Sequence, residues 1–272
     1  MRSHQTRRSD GFTLVELMVA VTIGLLLTVA VAQLFVGSRQ SYATTDDVAR
    51  MQENMRFAHD VLSRTIRMAG YMGYAGGSTV TVEDVQGIFA PPSLALDGTD
   101  GNASITNVTT PDTLIVRYQG TGDIAGNPDG ATLDCLGTPI GPLAMATNIF
   151  SIVTDAAANT AALMCRTSPG GPDVVIVSDV ENMQVLYGEE TSVFPDFTAD
   201  RYLPRNMVTD IDRVVSLRIA LLFRTPNLNV RSNADTTAYQ LHGGTLPAKT
   251  GVEATRIRRV LTMTIALRNR SP

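Results

Sequence analysis

Hydrophobic and polar positions divide the chain into three stretches with different periods. From Phe12 to Val36 there are 25 residues with one charge, Glu16, and no polar face. At about 1.5 Å per residue, a helix of that length crosses a bilayer core. Beyond it, Val48, Met51, Met55, Ala58, Leu62, Thr65 and Ala69 recur at steps of three and four. That is one apolar stripe at helical period. Arg50, Glu53, Arg56, Asp60, Arg64 and Arg67 occupy the opposite side, with Glu53/Arg56 and Asp60/Arg64 one turn apart. The pattern predicts a single helix from Phe12 to about Ala69, roughly 85 Å long, apolar all round at first and amphipathic afterwards. Gly70, Gly73, Gly76 and Gly77 then end it.

The remainder alternates with period two. Leu114, Val116 and Tyr118 form one such set; Val215, Leu217, Ile219, Leu221 and Phe223 a second; Leu261, Met263, Ile265 and Leu267 a third. Val174 to Val177 and Met183 to Tyr187 read as further strands. The segments 91–102, 120–130 and 225–251 are rich in Gly, Asn, Asp and Pro and read as long loops. The expected fold class is α+β, with an antiparallel sheet packed on the amphipathic half of the helix. In domain terms this gives a leader (1–11), a membrane or polymerisation helix (12–36), an amphipathic half (37–69) and a β-rich head (70–272).

Charge sets the orientation. Arg2, Arg7 and Arg8 precede the apolar run, so the positive-inside rule keeps the leader in the cytoplasm and translocates the chain beyond Gly37. The formal charge of the whole chain is −4. The leader carries three arginines against Asp10, so the rest is more acidic still and general nucleic-acid binding is not indicated. Two cysteines, Cys135 and Cys165, in a translocated head read as one disulfide, with two separately buried thiols as the alternative. His4, His59 and His242 are scattered and offer no metal-ligand spacing.

The apolar run exceeds the length of an ordinary secretory signal, and a plain signal anchor would account for it apart from Glu16. A carboxylate within a spanning helix costs on the order of 3 kcal/mol and needs a partner. No Lys, Arg or His between Phe12 and Gln33 supplies one. Gly11, Phe12, Thr13, Leu14, Val15 and Glu16 resemble the class III signal of type IV prepilins and type II secretion pseudopilins. The resemblance implies cleavage between Gly11 and Phe12 by a membrane peptidase, methylation of the new amino terminus at Phe12, and pairing of Glu16 with the amino-terminal charge of a neighbouring subunit. Each of those two charges is tolerable in apolar surroundings only beside the other. Gly24 lowers helix stability by about 1 kcal/mol relative to Ala and is a candidate point of local melting.

Other candidate chemistry is weaker. The stretches 97–102 (DGTDGN) and 123–130 (DIAGNPDG) gather oxygens a calcium ion could use, but neither has the full spacing of a calcium loop, and turns explain them. Arg256, Arg258, Arg259, Arg268 and Arg270 read as a solvated strand edge guarded by charge. Glu189 and Glu190 read as solvated loop acids. No nucleophile elbow, zinc-protease motif or phosphate loop is present, so neither enzymatic activity nor a cofactor is expected.

In the C-terminal half, 181–190 (ENMQVLYGEE), 199–204 (ADRYLP), 213–225 (RVVSLRIALLFRT) and 258–270 (RRVLTMTIALRNR) resemble the PilW family of minor pilins. That resemblance implies a low-abundance subunit that joins other minor pilins to prime a type IV pilus and sits at its tip. Implied partners are the major pilin, other minor pilins, the prepilin peptidase, the inner-membrane assembly platform and, before assembly, membrane lipid. The chain would lie in the inner membrane with its head in the periplasm, then in the extracellular pilus. Alternatives are a minor pseudopilin of a type II secretion system and a tip-located binding module that contacts a surface or DNA.

Overall fold

The computed structural model describes residues 11–72, 95–101, 108–123, 125–155, 160–193, 196–231 and 233–270. The chain divides into two compact units, Met1–Asp46 and Asp47–Pro272. The leader before Gly11, and Gly73, Gly76 and Gly77, lie outside the described residues.

Helix α1 runs Leu14–Arg67. In the first unit its side chains are exposed almost throughout, with apolar residues on every face. Thr22 and Thr28 return their hydroxyls to the carbonyls of Val19 and Gly24, each at 2.8 Å, so neither adds an unsatisfied polar group to the apolar stretch. Within the second unit the helix is one-sided: Met51, Ala58, Val61, Leu62, Thr65 and Ile66 are buried. Arg50, Glu53, Arg56, Asp60, Arg64 and Arg67 face solvent. Its last turn tightens through Met68 N–H to Thr65 and Ala69 N–H to Ile66. Gly70 follows with φ 72°, a left-handed stop that a side chain would resist, and its N–H is taken up by the Arg117 carbonyl.

Among the described residues the head contains two large antiparallel sheets and a two-stranded hairpin, where sequence pattern suggested one sheet. β1 (Leu96–Thr99), β2 (Thr113–Gln119), β3 (Met145–Asp155), β4 (Thr160–Arg166) and β5 (Val174–Ser178) form a meander in chain order. Next along the chain come β6 (Val180–Glu189), β7 (Arg201–Leu203), β8 (Val214–Arg224), β9 (Tyr239–Leu241), β10 (Gly244–Leu246) and β11 (Arg258–Ala266). Four of these make the second sheet in the order β11-β8-β6-β7, and β9 pairs with β10 as a separate hairpin. The sheets share one core because their inward rows converge: Leu114, Val116, Phe150 and Leu163 from the first, Met183, Val185, Leu217, Ile219, Leu221, Met263 and Ile265 from the second. Leu62 and Ile66 of α1 fill the same core. A second, smaller core lies on the other face of the four-stranded sheet, where Leu241 and Leu246 of the hairpin pack with Val108, Ala220 and Leu222.

The two sheets are also tied by a polar staple. Asp112 is buried just before β2; one carboxylate oxygen accepts from Gly101 N–H at 2.9 Å and the other from Val185 N–H at 2.8 Å. Burial pushes its pKa up to about 6 against the pull of those two donors, and Asp100 adds to the rise.

Candidate assembly site

The residues that resembled a prepilin signal sit at the start of α1. Gly11 and Phe12 are exposed, and Phe12 is 88 % accessible. Thr13 and Glu16 form a reciprocal cap. Glu16 Oε2 accepts from Thr13 N–H and from Thr13 Oγ1, each at 3.0 Å, while Glu16 N–H donates to Thr13 Oγ1 at 3.3 Å. That is a capping box, and its sequence signal, Thr-x-x-Glu before an apolar run, is present in the chain. Sequence reasoning assigned Glu16 only an intermolecular partner; the geometry adds a local one. The cap satisfies hydrogen-bonding capacity on one oxygen but brings no compensating charge, since Thr13 is neutral and no ion pair to Glu16 occurs among the described residues. Around Gly24 nothing approaches within 4 Å of where a Cβ would stand.

In the head, Cys135 and Cys165 are joined by a disulfide with Cα atoms 6.5 Å apart. It ties the segment between β2 and β3 to β4, and the same segment is held by Tyr118 Oη donating to the Leu133 carbonyl at 2.6 Å and Cys135 N–H donating to Asn148 Oδ1 at 2.6 Å. Burial raises the Tyr118 pKa to about 12, so the phenol remains a donor.

The arginine-rich C-terminal segment is not the guarded edge that the sequence suggested. β11 does lie at a sheet edge, and Arg259 and Arg268 are exposed, but Arg256 and Arg258 are buried. Arg258 grips Glu181 with Nε at 2.7 Å and Nη2 at 3.0 Å, and reaches Glu253 at 3.1 Å. Arg256 Nε lies 3.1 Å from Glu253, and its Nη1 donates to the carbonyls of Thr225 and Pro226. Arg224 extends the cluster to Asp179 at 3.6 Å and Glu181 at 3.4 Å. The reason is the register: Arg258 pairs with Arg224 across the β11–β8 ladder, and two guanidinium groups side by side recruit the carboxylates of β6 and the 251–255 turn. Burial works to raise the Glu181 pKa, but hydrogen bonds and charge from Arg258, with Lys249 and Arg224, win and hold it low. Beside this cluster lies a cleft of about 270 Å³ lined by Asp155, Glu181, Arg224, Lys249 and Glu253 together with Thr154, Thr160 and Ala161. Arg270's side chain lies outside the described residues.

Glu189 and Glu190 also differ from their reading as solvated acids: both are buried at the end of β6. Glu189 pairs with Arg201 at 2.8 Å and accepts from Thr209 Oγ1, and Glu190 accepts from Asp196 and Phe197 N–H groups. The acids of the two calcium-like stretches serve turns and ion pairs. Asp97 pairs with Arg205, Asp100 accepts from Arg205 and Asn206 N–H, and Asp123 accepts from Ala125 and Asn127. Among the described residues no group of three or more His, Cys, Asp or Glu is placed to hold a metal ion.

A chain that pairs one apolar, capped N-terminal helix with an antiparallel β head belongs to the class of pilin-like proteins. Residues 6–32 match the prokaryotic N-terminal methylation motif. Residues 149–269 match the family of type IV pilus-assembly protein W. The matched stretch begins within β3 and takes in β4 to β11, so it includes the whole arginine cluster. Among solved structures, a type IV-like pilin from Thermus thermophilus is 15 % identical over 82 % of this chain and 99 % of its own, with a TM-score of 0.42. No curated protein matches the chain.

Proposed function

We propose that this chain is a minor pilin, cut between Gly11 and Phe12, methylated at Phe12 and held in the inner membrane by the apolar part of α1 until it enters a pilus. In this reading it joins other minor pilins to prime assembly of a type IV pilus and remains at the tip. The observation that carries the reading is the conjunction of a methylation-motif match at one end with a PilW match at the other. The capped, uncompensated Glu16 supports the assembly step, because a negative charge in an apolar packing environment gains most from an ammonium supplied by the next subunit. The head would face the periplasm before assembly and the outside of the cell afterwards. It would act by packing against the major pilin and other minor pilins, with the peptidase and the inner-membrane platform as transient partners. We assign it no catalytic role.

Mass spectrometry of the membrane-bound chain tests the processing step. The expected amino-terminal peptide begins at Phe12 and carries one methyl group; an intact leader, or a cut elsewhere, contradicts the assignment.

A further inference from the structure

The β9–β10 hairpin is joined by a two-residue turn, His242–Gly243, with φ of 53° and 90°. Positive φ at both central positions is a type I′ turn, where Asn or Gly is the usual first residue. His242 is half-buried there, and its Nε2 is buried with no hydrogen-bond partner. The hairpin lies over the face of the four-stranded sheet opposite the main core, where Leu241 and Leu246 cover Ala220 and Leu222.

Among the described residues, main-chain groups of Arg218 and Gln184 are what favours a positive charge on the ring, and they are outweighed by burial and by Arg218's own charge. Across the sheet the nearby rows read Leu186–Arg218–Thr264 and Gln184–Ala220–Thr262, with no carboxylate in either. Arg218 is the charged group that acts on the ring, and it is held in place by its stack on Tyr202, 3.9 Å from the ring centre. The Tyr202 hydroxyl is bonded to Ser216. In the neighbouring segment Asp112 has both oxygens engaged by Gly101 and Val185. On the hairpin's own flank, Asp235 is taken by Arg231 and Tyr239.

We propose that the β9–β10 hairpin is an acid-releasable cover on the outer face of the four-stranded sheet, closed while His242 is neutral and released when the ring takes a proton from solvent. Burial holds the His242 pKa down to about 4, Arg218 pushes the same way, and main-chain groups of Arg218 and Gln184 offset only part of it. The sign comes from linkage. A ring that is harder to protonate when docked than when free, where 6.5 is ordinary, favours docking fully above pH 6.5 and loses that preference as pH falls toward 4. Between pH 7 and pH 5 the opening equilibrium of the hairpin should rise about 20-fold. Opening bares the apolar surface of Ala220, Leu222 and Val260, while the main core on the other face stays closed.

Hydrogen exchange on the full chain in detergent micelles at pH 7 and pH 5, corrected for intrinsic exchange, tests this. Amides of residues 239–246 should lose about 20-fold in protection at pH 5 while those of β6 and β8 hold. His242→Asn, which keeps a residue suited to the left-handed turn and cannot titrate in this range, should abolish the response. Equal protection of the wild-type hairpin at both pH values, or an equal loss in the Asn variant, overturns the proposal. Should the variant fail to dock at either pH, titration of the wild-type His242 ring by NMR decides: a midpoint well below 6.5 supports the proposal, and one at 6.5 refutes it.

Discussion

Glu16 combines two roles that one substitution can separate. Glu16→Gln retains an oxygen for the cap on Thr13 and removes the charge, whereas Glu16→Ala removes both. If the charge draws in the neighbouring amino terminus, both variants should be cleaved and both should fail to enter the assembly complex in co-purification from membranes. If Glu16 serves only to start the helix, the Gln variant should assemble like wild type. Arg258 is the corresponding test residue in the head. Its bidentate hold on Glu181 cannot be reproduced by a single ammonium, and removing it leaves a buried carboxylate short of its main partner. Arg258→Met should lower stability by about 3 to 5 kcal/mol in urea denaturation, with Arg258→Lys recovering only part. The pH dependence carries the same signature. A Glu181 pKa held below its ordinary value gives stability that is complete above about pH 4.5 and lost as pH falls further, a loss the Met variant should blunt.

At the level of elements, the disulfide offers a clean measurement. Replacing both Cys135 and Cys165 by Ser should cost about 3 to 4 kcal/mol by the chain-entropy model, since 30 residues separate them, and urea denaturation would register it as a lower midpoint with a slope that is steeper, because the denatured chain is no longer cross-linked. Elements with a strong single period were legible in the sequence. The stripe from Met51 to Thr65 lies on the buried side of α1, with Ala69 buried just past its end, and the alternating sets became β2, β5, β6, β8 and β11. β3 and β4 escaped because Ala146, Ala161 and Ala162 give no strand signal and Asn148 and Ser151 interrupt β3 with polar side chains. β9 and β10 were hidden in what read as a loop, because three-residue strands around a His-Gly turn show too little alternation to be seen. The arginine cluster was illegible for a different reason. Charged residues at strand ends look solvated in sequence, and only the β11–β8 register, with Glu181 arriving from β6, shows that Arg258 points inward. The cap at Thr13 is legible in the sequence as Thr-x-x-Glu before an apolar run.

For the whole molecule, the two ends of the chain do different work. The apolar end matches the methylation motif, and the PilW match lies in the head, over a stretch that supplies more than half of the main core's described residues. This division fits a subunit whose anchor is generic and whose head confers its place among other subunits. Deleting the gene in its native host, and scoring surface pili and twitching motility beside the secretion of exoproteins, tests the central claim most directly. A pilus priming subunit predicts loss of pili with secretion intact, restored by the wild-type gene; full piliation with a secretion defect would contradict it and place the chain in a secretion pseudopilus.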